Sequence, residues 1–133
     1  MRPSRMFVRF VIPAADPESG HRQGLFTAMS DLNRIGALSV DEQAVWDELY
    51  GWFRQNLHAP DRFSRAGRAH PKKVALSWFK ADATEHIARM RQVAVILAAH
   101  DRPVEMIRSD RPGYIVYEDD HQVAAEPFRD TTT

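Results

Sequence analysis

The 133-residue chain contains no cysteine, which excludes disulfide scaffolds, thiolate zinc sites and cysteine nucleophiles. It also lacks an excess of charge of either sign: 18 basic side chains stand against 18 acidic ones, for a formal net charge of zero. A protein that coats nucleic acid normally carries a large positive excess to displace phosphate counterions, so this balance argues against that class. Long apolar runs are missing too. The longest, Val93 to Ala99, falls far short of the ~20 residues a membrane helix needs. Signature motifs of catalysis are absent: there is no G-x-S-x-G elbow, no phosphate-binding loop, no G-x-G-x-x-G and no H-E-x-x-H. The six histidines, at 21, 58, 70, 86, 100 and 121, share no metal-ligand spacing.

What is present is the composition of a folded domain, with 44% hydrophobic and 27% charged residues. A chain of this length reads as one domain spanning 1–133, with an ordered core over about 6–127 and a frayed tail at 128–133. Arg2 and Arg5 ahead of Met6 to Ala15 imitate a secretory signal, but Arg9 and Pro13 interrupt the apolar stretch and its alternation suits a strand. The expected compartment is therefore the cytoplasm.

Met6, Val8, Phe10 and Ile12 share one parity of that strand, and Phe7, Arg9 and Val11 share the other. Pro13 to Gly24 is rich in turn formers and predicts a loop. Leu25, Met29 and Leu32 then follow helical spacing, with Gly36 placed to end the helix at positive φ. Ser39 and Glu42 form a capping-box pattern ahead of a helix over Val40 to Leu57, whose stripe of Val45, Trp46, Leu49, Tyr50, Trp52, Phe53 and Leu57 reads as core. Val74 to Phe79, closed by Lys80, predicts a second strand. Asp82 and Glu85 repeat the capping spacing ahead of a third helix carrying Ile87, Met90, Val93, Ala94, Ile96 and Leu97 and ending near His100. Val104 to Arg108 and Tyr114 to Glu118 predict a hairpin reversing through residues 109–113, and Gln122 to Ala125 a short edge piece.

The order strand, helix, helix, strand, helix, strand, strand predicts a two-layer α/β domain of the α+β kind. Its mixed four-stranded sheet would have the first three strands as candidates for parallel neighbours and about three helices on one face. The other face would carry Phe7, Arg9, Ser77 and Phe79, an open surface suited to a protein partner or a second copy of the chain. The expected function is thus a non-enzymatic binding or regulatory module that needs no cofactor.

Two clusters offer alternatives. Glu118, Asp119, Asp120 and His121 follow the strand at 114–118, and Glu118, Asp120 and His121 include oxygen and nitrogen ligands suited to a divalent metal. Adjacent residues of an extended chain point to opposite faces, so a solvated turn competes with that reading. Together with Arg9 and Lys80 the same cluster would suit an enzyme or ligand-binding domain for an anionic substrate. The loop carrying Arg62, Arg65, Arg68, Lys72 and Lys73, with Phe63 and His70 able to stack on bases, is an anion site that Lys80 could extend, or a nucleic-acid site. The neutral total weakens its attraction for a polyanion.

Phe7-Val8-Arg9-Phe10, Trp52-Phe53, Ser77-Trp78-Phe79-Lys80, Pro112-Gly113 and Ile115-Val116-Tyr117-Glu118-Asp119 followed by Gln122-Val123 resemble segments of small uncharacterised bacterial proteins of similar length. The resemblance covers about Met6 to Pro127 and implies a bacterial single-domain protein. It carries no activity and no catalytic residue.

Overall fold

A computed structural model describes residues 5–15, 21–58 and 75–133. The elements run β1 (Phe7–Ala15), β2 (Arg22–Gly24), α1 (Leu25–Arg34), α2 (Val40–Asn56), β3 (Leu76–Lys80), α3 (Thr84–Ala99), β4 (Glu105–Ser109), β5 (Tyr114–Glu118) and β6 (Gln122–Glu126). The strands form a six-stranded antiparallel sheet in which β2, β1, β3, β6 and β5 are successive neighbours and β4 pairs with β1. By its contacts the chain divides into two compact units that share β1. The first holds β1 through Arg9, β3, and the chain from Met106 onward; the second holds β1 from Phe10, β2, α1, α2 and residues 85–105.

In the first unit β3 is flanked by β1 and β6, with Phe7 opposite Lys80, Val8 opposite Phe79 and Trp78 opposite Val123. Leu76 and Trp78 are buried and Ser77 is exposed, the alternation expected of a pleated strand. β6 differs: Gln122, Val123, Ala124 and Ala125 are all buried, because a strand with a neighbour on each edge and small side chains can be covered on both faces. Gly113, at φ +135°, begins the approach to β5, and a Cβ there would collide with the Glu126 carbonyl. Only glycine tolerates both the dihedral and the proximity. The C-terminal residues make contacts of their own: Arg111 donates to Asp130 at 2.9 Å and lies over the Phe128 ring at 4.6 Å.

In the second unit the helix ends follow local chemistry. Ala37 N–H donates to Leu32 O and Gly36 N–H to Asn33 O with Gly36 at φ +69°, the Schellman arrangement that satisfies the last carbonyls of α1. Ser39 and Glu42 form the capping box of α2. Phe26 packs edge-on against Phe53 and tilted against Trp46, while Trp52 meets His86 edge-on and carries the Arg89 guanidinium 4.2 Å above its ring. His86 is buried and donates from Nε2 to the Asn56 carbonyl oxygen at 2.7 Å, at the last residue of α2. His100 lies just beyond α3, with Nε2 2.9 Å from Glu42 Oε1.

The three helices agree with the sequence reading, and the sheet departs from it. β1 continues to Ala15, and β2 forms within the expected loop because Val11 pairs with Gly24 and Ala15 with Arg22. The sheet is antiparallel where parallel neighbours were expected: a βαβ crossover uses one helix between paired strands, and here, among the described residues, a strand and two helices separate β1 from β3. The strands predicted at 104–108 and 114–118 exist, but β4 pairs with β1 and the hairpin is β5–β6. Gln122 to Ala125 is an interior strand, not an edge piece. Asp82 lies ahead of α3, in a turn closed by Ala83 N–H to Lys80 O. Of the α2 stripe, Trp46, Leu49 and Phe53 are buried, whereas Val45 and Tyr50 are exposed.

Candidate functional site

The first unit contains a cleft of about 420 Å³ lined by Arg5, Met6, Phe7, Lys80, Ala81, Asp82 and Glu118. Backbone pairing builds it. Lys80 N–H donates to His121 O at 2.9 Å and Ala81 N–H donates to Met6 O at 3.0 Å, so the end of β3 is pinned between the β5–β6 turn and the start of β1. Beyond that point Lys80 Nζ reaches Glu118 Oε2 at 2.7 Å, and Arg5 Nη2 reaches the same oxygen at 2.6 Å. The Arg5 guanidinium also lies 5.0 Å from the centre of the Phe7 ring, which supports its flat face. Two cations thus converge on one carboxylate oxygen. Lys80 is the more enclosed of the two, with 22% of its side chain exposed against 55% for Arg5.

The electrostatics follow from that convergence. The hydrogen bond from Lys80 holds the Glu118 carboxyl below its ordinary 4.5; burial opposes this, and Arg5 adds to the lowering. Next along the chain, burial pushes Asp119 up. That push is outweighed by bonds from His121 N–H, the Gln122 side chain, the Tyr117 hydroxyl and Gln122 N–H, so its carboxyl lies below 3.8. Asp119 is therefore the acceptor that organises the turn, and the turn supplies the carbonyl that fixes Lys80. Burial and the neighbouring Asp119 both raise the Tyr117 phenol above its ordinary value.

The cluster at 118–121 resolves into separate roles. Glu118 pairs with cations, Asp119 serves the turn, and Asp120 and His121 are exposed. Among the described residues no group of three His, Cys, Asp or Glu side chains is placed to hold a metal ion, Glu118, Asp120 and His121 included. Adjacent positions in a turn diverge, and the one carboxylate that turns inward is already engaged.

The open sheet face requires correction as well. Phe7 is 2% exposed, Arg9 8% and Phe79 8%, leaving only Ser77 of the four exposed. Both parities of β1 from Phe7 to Ile12 are buried, so alternation along this strand does not separate a covered face from an open one. Arg9 donates to the Ser77 carbonyl oxygen at 3.5 Å and does not line the cleft with Lys80 and Glu118. Arg62, Arg65, Arg68, Lys72 and Lys73 lie outside the described residues.

Two charged lining residues were not singled out from the sequence as site residues. Arg5 reads as part of a signal-like start and Asp82 as a helix cap; Asp82 follows Lys80 in the same turn, and the pairing of β1 with β3 brings Arg5 beside them. No helix among the described residues is long and apolar enough to cross a membrane. No family model, curated protein or solved structure matches the chain.

Proposed function

We propose that the chain is a binding protein whose ligand is a small molecule bearing a carboxylate or phosphate, held by Lys80 and Arg5 in the cleft beside Glu118. The observation that carries this reading is the convergence of Lys80 Nζ and Arg5 Nη2 on Glu118 Oε2 within a cleft of about 420 Å³. Glu118 marks the position where an oxyanion is stabilised by charge-assisted bonds. Guanidinium and ammonium each keep further donors after one bond, so a ligand oxyanion can share or displace Glu118.

Binding is favoured over catalysis. A carboxylate held below its ordinary pKa is a weak general base at neutral pH, and among the described residues the lining includes no hydroxyl, thiol or imidazole nucleophile. The partner-docking reading loses three of its four surface residues to burial.

The test is an NMR titration of the ¹⁵N-labelled full chain with acetate, N-acetyl-L-leucine and inorganic phosphate. Saturable shifts confined to residues 5–7, 80–82 and 118 are expected with at least one of these anions. The reading fails if none of the three shifts those amides, or if the shifts scatter over the surface without saturating.

A further inference from the structure

Among the described residues the cleft holds as many carboxylates as cations. Arg5 and Lys80 are matched by Glu118 and Asp82, all four lining the same cavity. A site for a purely anionic ligand is poorly served by that composition, because an incoming oxyanion meets the repulsion of Asp82 and of whatever charge Glu118 retains. A purely cationic ligand meets the converse difficulty at Lys80 and Arg5. One class of small molecule answers both halves at once: a molecule that carries an ammonium close to a carboxylate.

We infer that the ligand is a small zwitterion of the α-amino-acid type, with its carboxylate on Lys80 and Arg5 and its ammonium on Asp82 and Glu118. This rests on the reading of the cleft as an oxyanion site and narrows it. Three observations support the assignment. Both cations contact the same oxygen, Glu118 Oε2, so the positive half is concentrated at one point, as a single ligand carboxylate requires. Asp82 is exposed and lies in the turn just after Lys80, held there by Ala83 N–H to Lys80 O at 2.9 Å, so its carboxylate is accessible to a ligand cation. Of the remaining lining, Met6 is exposed and Ala81 partly so, and these two give an aliphatic side chain an apolar surface to pack against.

The charge pattern also predicts how discrimination works. Acylating the amine removes the cation and leaves Asp82 facing an uncharged group. Amidating the carboxylate removes the anion and leaves Lys80 and Arg5 without the extra acceptor. Either loss leaves part of the site without its matching charge, which is how polar sites reject near analogues.

The experiment is a titration of the full chain with L-leucine, N-acetyl-L-leucine and L-leucinamide, read by NMR shifts at residues 5–7, 80–82 and 118. L-Leucine should bind at least ~10-fold more tightly than either blocked analogue, a difference of about 1.4 kcal/mol. Asp82→Asn, at an exposed position, should narrow the gap between L-leucine and N-acetyl-L-leucine several-fold, the remainder resting on Glu118. Equal binding of L-leucine and N-acetyl-L-leucine to the unmodified chain would overturn the zwitterion while leaving the oxyanion cleft standing. If L-leucine does not shift these residues the inference falls, and the reading beneath it falls as well only if acetate and inorganic phosphate also leave them unmoved.

Discussion

Lys80 and Glu118 lie on strands separated by β6, yet Lys80 Nζ sits 2.7 Å from Glu118 Oε2, at the end of the sheet where β6 begins at Gln122 and Lys80 N–H bonds to His121 O of the preceding turn. The pair is the centre of the cleft, and it sets the charge state of Glu118. Lys80→Met should therefore raise the Glu118 carboxyl toward its ordinary 4.5, followed by the ¹³C shift of its carboxyl carbon during an acid titration. Glu118 is 38% exposed, so the stability lost with the pair should be small, about 0–1 kcal/mol. An unchanged Glu118 titration in that variant would show that Lys80 does not set its charge.

Acid should destabilise the fold through three carboxylates. Ser39 N–H and His100 hold Glu42 below its ordinary value, Lys80 does so for Glu118, and the turn amides with Tyr117 and Gln122 do so for Asp119. A carboxyl lowered by folding contributes stability that is present above its unfolded pKa and lost as pH falls through its folded one. Urea midpoints should hold between pH 7 and pH 5 and drop below about pH 4.5. A midpoint that rises on acidification would contradict these contacts.

Gly113→Ala should be among the most costly single substitutions. The new Cβ would lie 2.6 Å from the Glu126 carbonyl carbon, at a φ of +135° that L-residues avoid. Backbone strain combined with a backbone clash predicts a loss of about 2–4 kcal/mol by denaturant titration. Gly36→Ala, where open space surrounds the added carbon, should cost only about 1 kcal/mol from its positive φ. Equal losses at the two sites would rule out the clash at Gly113.

Trp78 is 1% exposed, and its indole N–H has no hydrogen-bond partner among the described residues. Burying an unpaired donor costs about 1–3 kcal/mol, so Trp78→Phe removes a penalty while it removes volume. The net change should be under about 1.5 kcal/mol, whereas Trp78→Ala, which leaves a cavity, should cost about 3–5 kcal/mol. A Phe variant as unstable as the Ala variant would indicate a partner for that N–H.

The helices were legible in the sequence because their signals are local. Ser39 with Glu42, Gly36 at the end of α1 and the spacing of Leu25, Met29 and Leu32 each act within a turn or two. The sheet was only partly legible. Segments near β1, β3, β4 and β5 can be read from their apolar residues, but pairing depends on residues far apart in the chain, such as Leu76 with Ala125. Arg9 misleads for a related reason: charge within an alternating strand suggests an exposed parity, whereas both parities here are buried. Lys80 and Glu118 could be named from the sequence as candidates. Arg5 and Asp82 could not, because Arg5 sits in no motif, Asp82 reads as a helix cap, and their proximity arises from the pairing of Phe7 with Lys80.

The most direct measurement compares the affinity of N-acetyl-L-leucine for the unmodified chain with that for Lys80→Met and for Glu118→Gln at pH 7. Lys80→Met removes a cation that should hold the ligand carboxylate, so binding should weaken. Glu118→Gln removes the internal carboxylate that occupies both cations, so binding should tighten. Shifts of opposite sign are the predicted result; affinities that move together, or do not move, would contradict the assignment of this cleft as an oxyanion site.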